Sequence, residues 1–357
     1  MNAHIRKDIF IMKNCAIIGF GGMGGWHAVF TRENKVVNLA GIYDINPDKQ
    51  AFAVQNGIRS YGSEEELLAD ESVDFVVVAT PNDVHKEIAI RAMKAGKHVI
   101  CEKPVTLSSA DLQEMIDASI KYDRRFTVHQ NRRWDGEFLV MRDMYNSGKL
   151  GDIFSMSSYV QGSHGIPGDW RKEKEHGGGM ILDWGVHLID QVMQIVTDKK
   201  PLSVYCRCDH ITNAEVDDGF ALDLYFEDDL TAHIEVGTSH FITMPRFSMY
   251  GTNGSAQIPN WGQDCRAVYC TNWEMKDVVP VKTAAGITKT MAPRDKSTIE
   301  EHFIPQPAAD VHDFYRNFVA AIDGEAEQIV THAQMMQVMK IMEAAFESDR
   351  TGLPVKL

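Results

Sequence analysis

Up to about residue 130, short apolar runs alternate with stretches of helical periodicity, the pattern of β-α-β units in which a parallel sheet is covered on both faces. Strands are predicted over residues 15–18, 36–43, 73–79, 98–101 and 126–129, the third carrying the unbroken run Phe75-Val76-Val77-Val78. Before the fifth, Ser108 stands at the start of a predicted helix with Leu112, Met115, Ile116 and Ile120 at helical spacing, and Asp111 three residues on supports that start. Beyond Asn131 the pattern changes. A helix over 136–146, a strand over 153–160 and a glycine-bearing loop lead into a long apolar helix from about Gly178. Residues 202–209, 219–226, 231–237 and 247–250 then read as strands without intervening helices, with Glu227-Asp228-Asp229 and Gly251-Thr252-Asn253-Gly254 as turn signals, so an antiparallel sheet is expected. Residues 271–306 give no clear pattern, and 308–322 and 333–346 read as two closing helices. The expected fold class is α/β: an N-terminal Rossmann, doubly wound parallel sheet over 1–131, with 1–11 as an extension ahead of a second start at Met12, then a C-terminal α+β domain over 132–357 for substrate binding and oligomerisation.

A chain of 357 residues that is 44% apolar can build two such cores. Its formal charge of −14 is spread throughout, which argues against binding nucleic acid phosphates or an anionic membrane face and favours a small-molecule partner. No run approaches the length of a spanning helix and the first residues have no secretory pattern, so a cytoplasmic location is expected. The six cysteines (15, 101, 206, 208, 265 and 270) form no CxxC pair and read as reduced packing thiols.

Candidate chemistry begins at the first predicted turn. Gly19-Phe20-Gly21-Gly22-Met23-Gly24 follows the first strand and opens a helix, the context in which GxGxxG signals dinucleotide binding. Gly19 permits the tight turn, Gly21 lets the backbone approach a pyrophosphate, and Gly24 lets helix and strand pack closely. Asp44 ends the second strand 20 residues after Gly24 (44 − 24), where a carboxylate bonds an adenosine ribose. It would repel a 2′-phosphate, and Ile45-Asn46-Pro47 offers no cation to offset that, although Lys49 lies not far along, so NAD is expected in preference to NADP. A strand-end Asp that merely caps the next helix would occupy the same position.

The third and fourth strands end in Thr80-Pro81-Asn82, with His85 beyond, and in Glu102-Lys103-Pro104. Ligands of open α/β sheets collect at these carboxyl ends, so these residues should face the cofactor crevice. Pro104 biases Lys103 toward extended backbone, able to aim its ammonium inward. Farther on stands Gly178-Gly179-Met180-Ile181-Leu182-Asp183-Trp184-Gly185-Val186-His187.

With these four motifs in this order, nearly the whole chain resembles the Gfo/Idh/MocA family, named after glucose–fructose oxidoreductase, inositol dehydrogenase and a rhizopine-catabolism protein. The resemblance implies a Rossmann domain, then a domain with an open, mostly antiparallel sheet through which dimers or tetramers form. It also implies hydride transfer on a secondary alcohol or ketone of a sugar, glycoside or cyclic polyol. The family's Lys-Asp-His trio maps onto Lys103, Asp183 and His187. Asp183 and His187 are four apart on a predicted helix and share a face. His187 suits the task of base for the hydroxyl proton, Lys103 that of cation at the developing alkoxide, and Asp183 that of holding either. An Asp–His pair satisfying itself within the helix is the plainer alternative.

Arg133, Trp134, His164, Trp170 and Arg171 are candidates for the substrate wall, since aromatic faces and guanidinium donors suit sugars. Glu175, His176, Asp183 and His187 could be read as metal ligands, but no HExxH or Cys/His spacing supports a metal, and none is expected. Two further readings stay open: a relative that oxidises a sugar transiently to eliminate a glycosidic bond, and a catalytically silent sensor, against which the trio's retention speaks.

Overall fold

In the computed structural model, which describes residues 12–274 and 279–357, the unbroken apolar run becomes the central strand of a five-stranded parallel sheet. The strands are β1 (Lys13–Ile18), β2 (Val37–Tyr43), β3 (Phe75–Val78), β4 (His98–Cys101) and β5 (Phe126–Val128), in the order β2-β1-β3-β4-β5. All four residues of β3 are fully buried, as expected of a strand covered on both faces. Helices α1 (Gly22–Glu33), α2 (Pro47–Gln55), α3 (Glu64–Ala69), α4 (His85–Lys94) and α5 (Ser109–Lys121) connect or flank the strands. Ser108 caps α5 as expected, its hydroxyl accepting from the Asp111 amide at 3.1 Å. The reading of residues 1–11 as an extension lies outside the described residues.

The chain divides into two compact units. The first runs to Asn131 and also takes in Gly168–Val186 and Asp310–Glu343; the second comprises Arg132–Pro167, His187–Ala309 and Ala344–Leu357. Helix α8 (His312–Ile322) and the first part of α9 (His332–Thr351) therefore pack within the first unit, where the sequence reading had grouped both helices with the second domain. The cause is side-chain complementarity. Phe318 meets Phe75 edge-on at 5.5 Å, Phe314 meets His129 at 4.9 Å, and Glu343 accepts from the Ser109 amide and hydroxyl at 2.6 and 2.7 Å.

In the second unit α6 (Gly136–Asn146) precedes β6 (Ile153–Gln161). The chain continues through α7 (Val186–Ile195), whose first residue belongs to the first unit, into β7 (Pro201–Asp209), β8 (Gly219–Phe226), β9 (Thr231–Gly237), β10 (Phe247–Gly251), β11 (Gly254–Ile258) and β12 (Cys265–Cys270). A small hairpin of β13 (Val281–Thr283) and β14 (Gly286–Thr288) stands apart, while β15 (Ile299–Ile304) and β16 (Val355–Lys356) form the two edges of a nine-stranded sheet, ordered β15-β12-β11-β10-β6-β9-β8-β7-β16. Its pairings are antiparallel except for β6 with β9. Phe220, Leu222, Leu224 and Phe226 of β8 and Ala232, Ile234 and Val236 of β9 are buried on one face, while Asp223, His233 and Glu235 alternate with them on a half-open one.

The long helix expected from Gly178 is interrupted. Ile181–Gly185 form a π-helical turn before α7 begins, a wider winding that recurs at functional sites. No helix among the described residues is long and apolar enough to cross a membrane. The six cysteines are free thiols.

Candidate active site

The turn from β1 into α1 has the geometry its glycines were expected to serve. Gly19 adopts φ of +94°, and a Cβ there would fall 2.5 Å from the carbonyl oxygen of Ala79, just beyond β3; a Cβ on Gly24 would fall 2.0 Å from the Gly19 oxygen, so the turn can lie this close to the end of β3 only with glycine at 19, and α1 this close to the turn only with glycine at 24. Around Gly21 and Gly22 the space is open, and both, with Gly19 and Met23, line a cleft of about 1120 Å³. No side chain caps α1, so its first N–H groups are left to face the cleft, a favourable site for a pyrophosphate. Phe20 and Gly24 are buried and lie off the cleft wall.

Asp44, just beyond β2, lines the same cleft. Its Oδ2 accepts from the Phe20 amide at 2.6 Å and its Oδ1 from the Asn46 amide at 2.8 Å, which fixes the carboxylate while leaving lone pairs for hydroxyl donors. The cap of α2 is Asn46, whose side chain accepts from the Asp48 amide at 2.9 Å. Farther along the wall, Arg91 forms a forked pair with Glu64 at 2.8 and 3.0 Å, a cation already neutralised.

The carboxyl ends of β3 and β4 supply Thr80, Pro81, Asn82, Glu102 and Lys103 to the wall. Lys103, joined to Pro104 by a cis peptide bond, donates from Nζ to both the main-chain oxygen and Oδ1 of Asp183, each at 3.0 Å. Asp183 is held from its other side by Arg171, whose Nε reaches Oδ2 at 3.0 Å and whose Nη1 reaches Asp169 at 2.8 Å. Burial pushes the Asp183 carboxyl up, but Lys103 and Arg171 together outweigh that and hold it below the usual Asp value, so it is an anion between two cations. The segment bearing Asp169, Trp170, Arg171 and His176 lines the cleft as well; Asn82 donates to the Gly177 oxygen at 3.1 Å, and His176 pairs with Asp83 at 3.2 Å. The Trp170 ring stacks under the Arg171 guanidinium, 4.7 Å from its centroid.

Behind this wall His27, His129 and Tyr315, for which the sequence carries no signal, gather around Glu102. Glu102 Oε1 accepts from His27 Nε2 at 2.7 Å and from His129 Nδ1 at 2.8 Å, and Oε2 accepts from the Lys103 amide at 3.1 Å. His27 Nδ1 faces the Tyr315 hydroxyl at 2.5 Å. Burial would raise the Glu102 carboxyl, yet charge attraction to His129 and the hydrogen bonds from both imidazoles keep it well below the ordinary range; burial lowers the pKa of His27. These separations are those of a shared proton, whereas ligands each about 2.0–2.2 Å from one zinc ion would stand farther apart. His85 is also fully buried, bridging the Thr80 and Pro104 carbonyl oxygens at 2.9 and 3.1 Å; it braces the two strand ends and does not reach the cleft wall.

His187, Arg133, Trp134 and His164 fall in the second unit. His187, 4% exposed, stands one residue past the division at the start of α7. Arg133 is buried in a forked pair with Asp190 at 2.6 and 2.8 Å, so it fastens the Asn131–Trp134 turn to α7 and its charge is already matched. Trp134 is half-buried on that turn, and His164 is exposed on the loop after β6. Of the residues weighed as metal ligands, Glu175 and His176 lie close together with Glu173, while Asp183 is engaged by Lys103 and Arg171.

Comparison with known proteins agrees with the geometry. Residues 13–130 match a family model described as the oxidoreductase family with NAD-binding Rossmann fold, and residues 138–257 match the corresponding GFO/IDH/MocA C-terminal domain. The chain belongs to the Gfo/Idh/MocA oxidoreductase family. The crystal structure of an NAD-binding protein from Listeria innocua shares 43% identity over 97% of this chain and 99% of its own, with a TM-score of 0.93. A scyllo-inositol 2-dehydrogenase (NADP(+)) of Bacillus subtilis is 27% identical over 82% of this chain and 81% of its own. A 1,5-anhydro-D-fructose reductase of Ensifer adhaerens is 29% identical over 79% and 87%.

Proposed function

We propose that this family member is an NAD-dependent dehydrogenase or reductase acting on a secondary alcohol or ketone of a sugar, glycoside or cyclic polyol. The carrying observation is that Lys103, held by two bonds to Asp183, lines the same cleft as the glycine turn and Asp44. The glycine turn, the uncapped start of α1 and the fixed Asp44 carboxylate fit a dinucleotide, which when bound supplies the hydride acceptor. Lys103 donates to the reacting oxygen and stabilises its developing charge, while Asp183 keeps the ammonium in place. His187, four residues after Asp183, takes the hydroxyl proton. Trp170 and Arg171 offer an apolar face and donors to a ring bearing hydroxyls. The inositol and anhydrofructose specificities of the two relatives support a polyhydroxylated substrate.

NAD is favoured over NADP, although the Bacillus relative is named for NADP(+). Asp44 would meet a 2′-phosphate with like charge, and Arg91 on the same wall is matched by Glu64. The test is a panel of sugars, inositols and glycosides assayed for reduced nicotinamide with NAD and NADP in parallel. Turnover of at least one polyol or sugar with NAD is expected. Release of an aglycone without net reduction would show transient oxidation instead, and binding of sugar without either reaction would show a sensor.

A further inference from the structure

Among the described residues that line the cleft, the lysine and arginine side chains are Lys103, Arg171 and Arg91. Lys103 and Arg171 are both committed to Asp183. That leaves Arg91 as the cation an additional phosphate on the cofactor could use, and a guanidinium is the group best shaped for one. Its partner Glu64 stands near Asp44. Ser60 pairs in parallel with Ile42 of β2, and the Tyr61 amide donates to the Ile42 oxygen at 2.9 Å, so the chain entering α3 leaves the sheet beside the end of β2. Asp44 is two residues past Ile42 and Glu64 four past Ser60. At about 3.3 Å per residue and about 4.8 Å between strands, their backbones lie within roughly 10 Å of each other. The Ser63 hydroxyl accepts from the Glu66 amide at 3.1 Å, which caps α3 and fixes Glu64 as its first residue. Arg91, in the last turn of α4, reaches it with two bonds, Nε to Oε1 and Nη2 to Oε2. The Glu64 side chain is 15% exposed and that of Arg91 53%, so the carboxylate is the anchored member of the pair and the guanidinium the one that can turn to another anion.

We infer that Glu64 is a determinant of cofactor choice that acts through Arg91: the forked pair occupies the cation that would otherwise meet the 2′-phosphate of NADP, and so reinforces the discrimination made by Asp44. This rests on the reading that Asp44 marks the adenosine ribose. Glu64→Gln keeps the shape and one acceptor while removing the charge, which releases Arg91 toward a phosphate monoester. Glu87, exposed and one turn before Arg91 on α4, is a solvated partner that holds the guanidinium less firmly than the forked pair does.

The experiment is calorimetric titration with NAD+ and NADP+ of wild type, Glu64→Gln, Arg91→Met and the double variant. In Glu64→Gln, NADP+ affinity is expected to rise about tenfold while NAD+ affinity stays within about threefold. In the double variant that gain is expected to vanish. Absence of the gain in Glu64→Gln overturns the inference, and so does a gain that survives in the double variant, since loss of repulsion alone would then account for it. Arg91→Met alone should leave the ratio of the two affinities within about twofold of wild type, because the guanidinium is already held. A loss confined to NADP+ would show that Arg91 serves the phosphate despite Glu64 and would overturn the inference equally; this variant decides if circular dichroism shows Glu64→Gln unfolded. Binding of neither nucleotide by wild type would overturn the dinucleotide assignment itself and this inference with it, whereas the expected pattern without turnover of any polyol would fault only the proposed substrate class.

Discussion

Replacing Lys103 with Met removes the ammonium and keeps most of the stem's volume. In the wild type Nζ makes two 3.0 Å contacts to Asp183, and the two side chains are 14% and 11% exposed, so the pair behaves as a nearly buried one. Breaking such a pair from one side typically costs about 3–5 kcal/mol because the remaining charge is orphaned. Here Arg171 stays on Oδ2 at 3.0 Å, so the carboxylate keeps one cation and a smaller loss, about 1–3 kcal/mol by urea unfolding, is expected. Turnover should fall by about 10²-fold or more, since a cation aimed at developing charge is lost, while NAD affinity stays within several-fold. The stability gap should also depend on pH. Asp183 is depressed in the folded state, so its contribution is present above the ordinary Asp pKa and is lost as pH falls through the lower folded value. The variant relaxes part of that depression, and the gap between wild type and variant should therefore narrow below about pH 4. Steady-state kinetics, NAD titration and urea melts on one preparation measure all three. More than about a tenth of wild-type kcat in the variant would show Lys103 to be a bystander to the chemistry.

Asp44→Ala should narrow the gap between NAD and NADP affinities by about 1–3 kcal/mol in calorimetric titrations, and a wild type that binds both equally would refute the ribose assignment. Gly24→Ala places a Cβ 2.0 Å from the Gly19 oxygen, so the thermal midpoint and dinucleotide affinity should fall together, with at least about 1–3 kcal/mol lost; an unaffected variant would contradict the close approach of α1 to β1. In the oxidative direction kcat/KM should drop on the acid side as the base takes up a proton, and His187→Asn should remove that limb and lower the rate by about 10²–10⁴-fold. An acid limb that survives in His187→Asn but vanishes from the residual activity of Lys103→Met would assign the base to the lysine.

Fold elements were legible wherever a local rule acts alone. The fully buried β3 showed as an unbroken apolar run, and β8 and β9 showed as strands set off by a turn signal, each with one face buried and the other half-open. The edge strand β15 escaped detection because its residues, from Ile299 to Ile304, are exposed or half-exposed and carry no burial pattern to read. The two-residue β16 is fixed by its pairing with Ser203 and Val204, a long-range partner that no window of sequence contains. Grouping α8 with the second domain fails for a related reason: periodicity marks an apolar face, here Phe314, Tyr315 and Phe318, but not which core receives it.

The same distinction governs the site. Gly19, Gly24 and Asp44 were readable because their positions in a strand–glycine-turn–helix pattern and at the end of the next strand are local signals, although Gly19 lies against Ala79 and Asp44 holds the Phe20 amide, partners no short window contains. Lys103 and Asp183 were readable as chemistry, but their pairing across 80 residues came only with the family resemblance. Arg171 appeared as one of several donors, and its hold on Asp183 depends on a segment after Pro167 that folds back into the first unit. That hold matters for the mechanism. With Arg171 already countering part of the Asp183 charge, the aspartate is a weaker restraint on the Lys103 ammonium than a private partner would be, and Lys103 can turn toward a substrate oxygen without leaving Asp183 unpaired. His27 and His129 carried no signal at all, since a lone histidine on α1 and another at the end of β5 acquire meaning only when both imidazoles close on the one Glu102 oxygen.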